Sequence, residues 1–213
     1  MTRTLRLFTL ASAAALVLLL GCGGGATAPV PAPEPKAVGL GYTDPTGSGW
    51  RLVRDASSTP TRLVLNLVGP SGTRTRGAGF NLRLPEGVKA GTFSQGLPLQ
   101  DTGVYQLRML GSSDPQEPLA LTGGVKPGRV LSVGLFQKDR EQPAVDSGVP
   151  VCRIALAFDA GAGLTAGTRL PLAVLKAKVI PQDIGAPGDD LWTLDQKMRL
   201  ADISLAVGTL TAL

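Results

Sequence analysis

Few residues in this chain carry reactive chemistry. Its 213 residues include two cysteines and no histidine. Without histidine there is no Ser-His-Asp or Cys-His nucleophile, and no metal site that needs an imidazole. Cys22 stands in "LVLLLGCGGG", after an apolar run and before three glycines. Cys152 stands in "VCRIALAF". On a strand, Cys152, Ile154, Leu156 and Phe158 share one face. A thiol there acts as a small hydrophobe, and a reactive one needs a basic, exposed setting that only Arg153 begins to supply. No residue is assigned to catalysis, to a metal or to a cofactor.

The remaining polar groups are weaker candidates. Asp183, Asp189, Asp190 and Asp195 gather in one stretch. Paired carboxylates cleave glycosides when they face one cleft, and nothing marks a cleft here. "DDLWTLDQ" also lacks the alternating acidic loop of calcium sites, so solvated loop charge is the expectation. "GLGYTDPTGSG" has glycines but no lysine and helix after them, as a phosphate loop requires. Aromatic residues are only 4% of the chain, so stacking platforms for sugars are scarce. Trp50 in "GSGWRLVRD" and Tyr42 nearby are the best candidates for ligand contact. The competing reading places both rings at a sheet edge or the core margin. Arg74 and Arg76 in "GTRTRG" read as a solvated hairpin tip, or as a contact for anionic lipid or polysaccharide.

The first residues explain the position of Cys22. Arg3 and Arg6 precede 14 uncharged residues, Leu7 to Leu20. A membrane-spanning helix needs ~20 apolar residues, and a signal-peptide core needs fewer. The ending Leu19-Leu20-Gly21-Cys22 resembles the lipobox of bacterial lipoproteins. Leu20 departs from it, since a smaller residue is usual there. The resemblance implies cleavage before Cys22 and lipidation of Cys22. Membrane lipid is then one partner, because each buried methylene contributes ~0.8 kcal/mol and stable anchoring takes more than one chain. Gly23 follows, rather than the aspartate that in Gram-negative lipoproteins resembles an inner-membrane retention signal. The expected address is the bacterial cell envelope, at the outer membrane.

Cleavage would remove two arginines and no acid, lowering the formal charge from +5 to about +3. That is too mild for a nucleic-acid footprint, and no nucleic acid is expected as partner. With Cys22 lipidated, Cys152 has no intrachain disulfide partner. The expected organisation is a signal peptide over 1–21, a lipidated cysteine with a Gly/Pro-rich linker over 22–37, and one domain over 38–213. "GGGATAPVPAPEPK" has no apolar face to bury, and its prolines favour an extended form.

Beyond residue 38, short alternating runs are split by Gly, Pro, Ser and Asp, the pattern of strands. "RLVLNLV" sets Leu63, Leu65 and Leu67 on one side. "GFNLRL" turns Phe80, Leu82 and Leu84 inward, "VYQLRML" aligns Tyr105, Leu107 and Met109, and "RVLSVGLF" does so for Leu131, Val133 and Leu135. "RLPLAVLKAKVI" carries Leu170, Leu172 and Val174, then Leu175, Ala177 and Val179, and this change of phase predicts a bulge. "ISLAVGTL" lines up Ile203, Leu205 and Val207. In "DDLWTLDQKMRL" the spacing allows a short helix or turn, with Trp192 plugging one end. About nine strands, each apolar on one face, predict an all-β fold, an antiparallel β-sandwich.

The runs "GRVLSVGLFQK", "VCRIALAFDAGAGLTAGTRLPLAVLKAKVI" and "SLAVGTLTAL" resemble cohesin-like domains. "FNLRLPEGV" is similar to an early strand and turn of that family, although Leu84-Pro85-Glu86 replaces its usual aspartate-proline pair. The resemblance covers residues 60–213 and implies a jelly-roll-like sandwich that binds another protein or a glycan through one sheet face. In cohesins that partner is a dockerin; no binding residue carries over. The expectation is a non-enzymatic envelope lipoprotein whose sandwich serves protein interaction or assembly. The alternative is a carbohydrate-binding module, which an exposed Trp50 ring would favour.

Overall fold

The structure is a computed structural model that describes residues 32–104, 119–137, 144–181 and 200–213, with residues 119–122 and 137 described by their backbone alone. Fifteen strands occur among them: β1 Leu40–Thr43, β2 Trp50–Arg54, β3 Arg62–Val68, β4 Arg74–Arg83, β5 Val88–Ala90, β6 Leu99–Asp101, β7 Leu119–Lys126, β8 Val130–Gln137, β9 Val145–Asp146, β10 Cys152–Phe158, β11 Arg169–Leu170, β12 Ala173–Pro181, β13 Ala201–Asp202, β14 Leu205–Ala206 and β15 Thr209–Ala212. The one helical piece among the described residues is a 3₁₀ turn, Ala160–Ala162. Six of the strands have only two or three residues, which is why the number exceeds the nine expected. Cys22, Tyr105, Leu107, Met109, Trp192 and the acids Asp183, Asp189, Asp190 and Asp195 lie outside the described residues.

The fold is an all-β sandwich. One sheet has the order β14-β2-β3-β10-β5, with β6 also on β10. The second has the order β13-β12-β4-β8-β7, with β9 also on β4. A third, small sheet runs β1-β15-β11. Their apolar faces share one core, in which Leu52, Leu65 and Ile154 of the first sheet join Leu82, Leu131 and Leu135 of the second and Leu210 of the third. Fully burying each leucine contributes ~1.5–3 kcal/mol, so this shared interior is the main source of cohesion.

The alternation read from the sequence selects the inward faces of β4 and β8. Phe80, Leu82 and Leu84 are buried, as are Leu131, Val133 and Leu135. β3 departs from a one-faced pattern. Val64, Asn66 and Val68 are buried as well as its three leucines. The segment after β2 stays bonded along the edge of β3: Asp55 N–H and Ser58 Oγ both donate to the Val64 carbonyl at 2.9 Å, and Asn66 Nδ2 donates to Asp55 Oδ2 at 2.8 Å.

Two bulges shape the second sheet. In β12 the register against β4 shifts between Val174 and Lys176, where the change of apolar phase predicts it. Leu175 is the extra residue, and it is 45% exposed rather than inward-facing. The other shift lies between Ile180 and Pro181, opposite Arg76. Thr75 Oγ1 sits 2.9 Å from the Ile180 carbonyl and accepts from Gly77 N–H at 3.2 Å, closing the irregular turn of chain.

The pairing is antiparallel except for β14, which runs parallel to β2. The cause is the path of the last segment. β14 lies along β2, and the chain continues into β15, which pairs antiparallel with β1. The paired body also starts before residue 38. Ala166 N–H donates to the Pro35 carbonyl at 2.9 Å and Ala37 N–H to the Leu164 carbonyl at 2.7 Å, so residues 35–37 belong to the sandwich and not to a free linker.

Candidate functional site

The outward face of the second sheet carries the most distinctive geometry. β4 reads Gly77-Ala78-Gly79-Phe80-Asn81, and β8 reads Ser132-Val133-Gly134-Leu135-Phe136. Ala78, Phe80, Val133 and Leu135 point into the core, so Gly77, Gly79 and Gly134 occupy outward positions. Register places Gly79 directly opposite Gly134 on one side and Lys178 on the other. The centre of the face is therefore bare backbone. Its walls are Phe136 from β8, Asn81 from β4, Lys176, Lys178 and Ile180 from β12, and Leu200 before β13. Together they enclose an open cavity of about 280 Å³.

Glycine within a strand weakens it and often marks close approach of another chain or ligand. The glycines here do not all have the same cause. A Cβ at Gly77 would lie 2.5 Å from the Leu135 carbonyl oxygen, so packing requires glycine there. A Cβ at Gly79 would meet its nearest atom, the Val133 oxygen, at 3.1 Å. A Cβ at Gly124, on the neighbouring strand β7, would meet nothing within 4 Å. Packing alone does not require Gly124, whereas at Gly79 the Val133 backbone would have to give by a few tenths of an ångström.

Polar groups on the face are held in place. Ser132 Oγ donates to Asn81 Oδ1 at 2.6 Å across the β4–β8 pair. Lys178 Nζ lies 2.8 Å from Asp202 Oδ1. The hydrogen bond from Lys178 holds the Asp202 carboxyl below the usual carboxylate range, with the charges of Lys178 and Lys176 acting in the same direction. Leu200 is 44% exposed, whereas Ile180 is buried.

The residues proposed for ligand contact sit elsewhere. Trp50 and Tyr42 are both buried and belong to the shared core. The Tyr42 hydroxyl donates to the Leu52 carbonyl at 2.9 Å and accepts from Gly208 N–H at 2.6 Å. Burial pushes that hydroxyl up to about 12, against the bond from Gly208, with Asp44 adding to the rise. Neither ring offers a flat exposed surface, so the condition for sugar stacking at Trp50 is not met. Arg74 is exposed in β4, but Arg76 is buried beside the bulge, and neither forms the tip of the turn, which spans residues 69–73. Cys152 is buried, and burial pushes its thiol up to about 12, so it stays protonated at neutral pH. Among the described residues no three His, Cys, Asp or Glu side chains gather as a metal site.

A second polar cluster serves structure. Asp55 accepts from Ser57 Oγ at 2.6 Å, Ser57 N–H at 2.8 Å and Asn66 Nδ2 at 2.8 Å, with Arg153 Nε 3.6 Å away. These bonds fasten the segment after β2 to Asn66 of β3.

The glycine-floored face escaped a reading based on chemically active side chains. Its signal is an absence: glycines at the outward phase of two strands whose inward phase is apolar.

No protein-family model and no curated protein matches the chain. Its fold is similar to solved cohesin modules. One is the sixth cohesin of scaffoldin B from Acetivibrio cellulolyticus, solved in complex with a Cel5 dockerin mutant (TM-score 0.48, 8% identity, 77% of this chain and 97% of that one). Another is a type II cohesin domain from the cellulosome of the same organism (TM-score 0.45, 10% identity, 78% and 95%). A third is a non-cellulosomal cohesin from the archaeon Archaeoglobus fulgidus (TM-score 0.37, 8% identity, 79% and 86%).

Proposed function

We propose that this chain is a non-catalytic protein-interaction module of a bacterial envelope, and that its partner docks on the outward face of the β13-β12-β4-β8-β7 sheet. The observation that carries this reading is the open cavity floored by Gly79 and Gly134. A strand-interior glycine costs roughly 0.5–1 kcal/mol relative to alanine. Gly124, where a side chain would meet nothing within 4 Å, incurs that cost with no packing reason, whereas a Cβ at Gly79 would be tight against the Val133 carbonyl oxygen at 3.1 Å. A partner that approaches the backbone closely supplies the missing reason. Phe136 and Leu200 offer it apolar contact, and Asn81, Lys176 and Lys178 surround that contact with polar groups.

The lipobox-like ending at Cys22 supports membrane attachment as the second half of the proposal. Acyl chains on Cys22 hold the amino end in an outer membrane. The Gly/Pro-rich stretch after it, with no apolar face to bury, serves as the tether between that anchor and the sandwich.

The test is proximity labelling by the full chain in its own envelope, comparing the wild type with Gly79→Leu at matched membrane levels. The expected result is a small set of protein neighbours that the variant loses. An identical set of neighbours for both proteins would remove this face as the docking site.

A further inference from the structure

We infer that the partner presents an apolar side chain flanked by carboxylates, so that the face takes an acidic protein segment; this rests on the interaction reading above. The first support is the sign of the charge. At the outward positions of β12, β4, β8 and the described side chains of β7, the charged residues are Lys176, Lys178, Arg83 and Lys126, all cations. Among the described residues the facing carboxylate is Asp202, and Lys178 already holds it at 2.8 Å. Among the described residues none of Lys176, Arg83 and Lys126 has an ion-pair partner, and all three are exposed.

The second support is the placement of those cations. Lys176 and Lys178 lie on the wall of the cavity itself, and Arg83 is one outward position beyond Asn81. The floor between them is uncharged and the opposite wall is Phe136. A purely apolar partner would desolvate the lysine ammonium groups without compensation, which is costly. A basic partner would add repulsion. A segment with one apolar anchor and flanking Asp or Glu fills the floor and meets the lysines with charge-assisted hydrogen bonds. A polyanionic glycan would meet the lysines but has no apolar group for the floor and Phe136.

The test uses the full chain in detergent and a displayed random heptapeptide library, with alginate oligosaccharides as a separate probe. The expected selection is rich in Asp and Glu on both sides of Phe, Leu or Trp. Binding of a selected peptide should weaken at least tenfold in Gly79→Leu and in Lys176→Glu. It should also weaken as salt shortens the Debye length from ~10 Å at 0.1 M towards ~3 Å at 1 M. Lys176→Glu alters an exposed side chain, so it remains informative if Gly79→Leu does not fold. Selection of neutral or basic peptides that still depend on Gly79 would overturn the acidic partner while leaving the docking face in place. Peptides bound equally by both variants, or no enrichment at all, would overturn both. Alginate binding without peptide binding, or a concentration-dependent dimer lost in Gly79→Leu, would assign the face to a glycan or to a second copy and overturn the inference.

Discussion

The hydroxyl of Tyr42 lies 2.6 Å from the backbone nitrogen of Gly208, at the point where the last segment leaves β14 and enters β15. The same hydroxyl donates to the Leu52 carbonyl at 2.9 Å, so one oxygen joins the ring strand β1, the neighbouring strand β2 and the returning chain. A Cβ at Gly208 would lie within 2 Å of the Thr43 carbonyl oxygen, at 1.9 Å, so the crossing requires glycine. Tyr42→Phe keeps the packing and leaves the Gly208 N–H without its partner. The expected loss is ~1–3 kcal/mol, seen as a fall in Tm of roughly 5 °C for a domain of this size. Gly208→Ala should cost more than Tyr42→Phe. Equal Tm values for Tyr42→Phe and wild type would show that the hydroxyl contributes nothing to the crossing.

Asp55 makes stability depend on acid. Hydrogen bonds from Ser57 and Asn66 and the nearby Arg153 lower its carboxyl from 3.8 to about 2, against the opposing effect of burial. The folded group is the stronger acid, so its contribution is complete above the unfolded value. It is lost as pH falls from ~4 through ~2. The shift corresponds to about 2 kcal/mol at neutral pH. In urea unfolding, Asp55→Asn should be less stable than wild type by about that amount at pH 7, and the gap should close near pH 2. A gap that stays constant down to pH 2 would mean that the Asp55 charge is not what fastens this segment to β3.

The bulge at Leu175 separates two kinds of leucine that look alike in sequence. Leu175 is 45% exposed, while Ala177 and Val179 on the same strand are buried. Leu175→Lys should change stability by no more than ~0.5 kcal/mol. Val179→Lys should destabilise by several kcal/mol, because it places an unpaired ammonium in the core. Deleting Leu175 should be severe as well, since a one-residue slip turns one half of β12 inside out relative to the other. Thermal melts of the three variants check this ordering, and a Leu175→Lys variant as unstable as Val179→Lys would contradict the bulge.

What was legible follows from what local pattern encodes. Strict alternation in β4 and β8 identified the inward residues, because a strand face repeats every two residues. The phase change in β12 located the bulge, though not that Leu175 itself would face water. The second buried face of β3 was hidden, since nothing in "RLVLNLV" announces that Val64, Asn66 and Val68 are buried along with the three leucines. For Trp50 and Tyr42 burial was one of two readings that the sequence left open. An aromatic beside turn residues reads the same whether it faces water or a sheet edge, and only the long-range pairing of β1 with β15 and of β2 with β14 settles it. The face proposed for docking was missed for another reason. Its floor is defined by side chains that are absent, and Gly79 and Gly134 become neighbours only through a pairing 55 residues apart in sequence.

The proposed anchor makes a prediction independent of the sandwich. Cys22 is the residue at which acyl chains would attach, and residues 35–37 are already tied into the body by the Ala166 and Ala37 bonds. Loss of the lipid is expected to remove the hold on the membrane while leaving the Pro35 and Ala37 bonds in place. Cys22→Ser should appear in the soluble fraction after a high-salt wash, with the same Tm as the detergent-solubilised wild type. Salt matters to this design because the exposed lysines and arginines of the second sheet would themselves attract anionic lipid, and that attraction is screened within ~3 Å at 1 M. A variant that stays with the membrane after the wash would show that something other than acylation of Cys22 holds the chain there. A variant that is released but melts at a lower temperature would show that the amino-terminal stretch contributes to the fold.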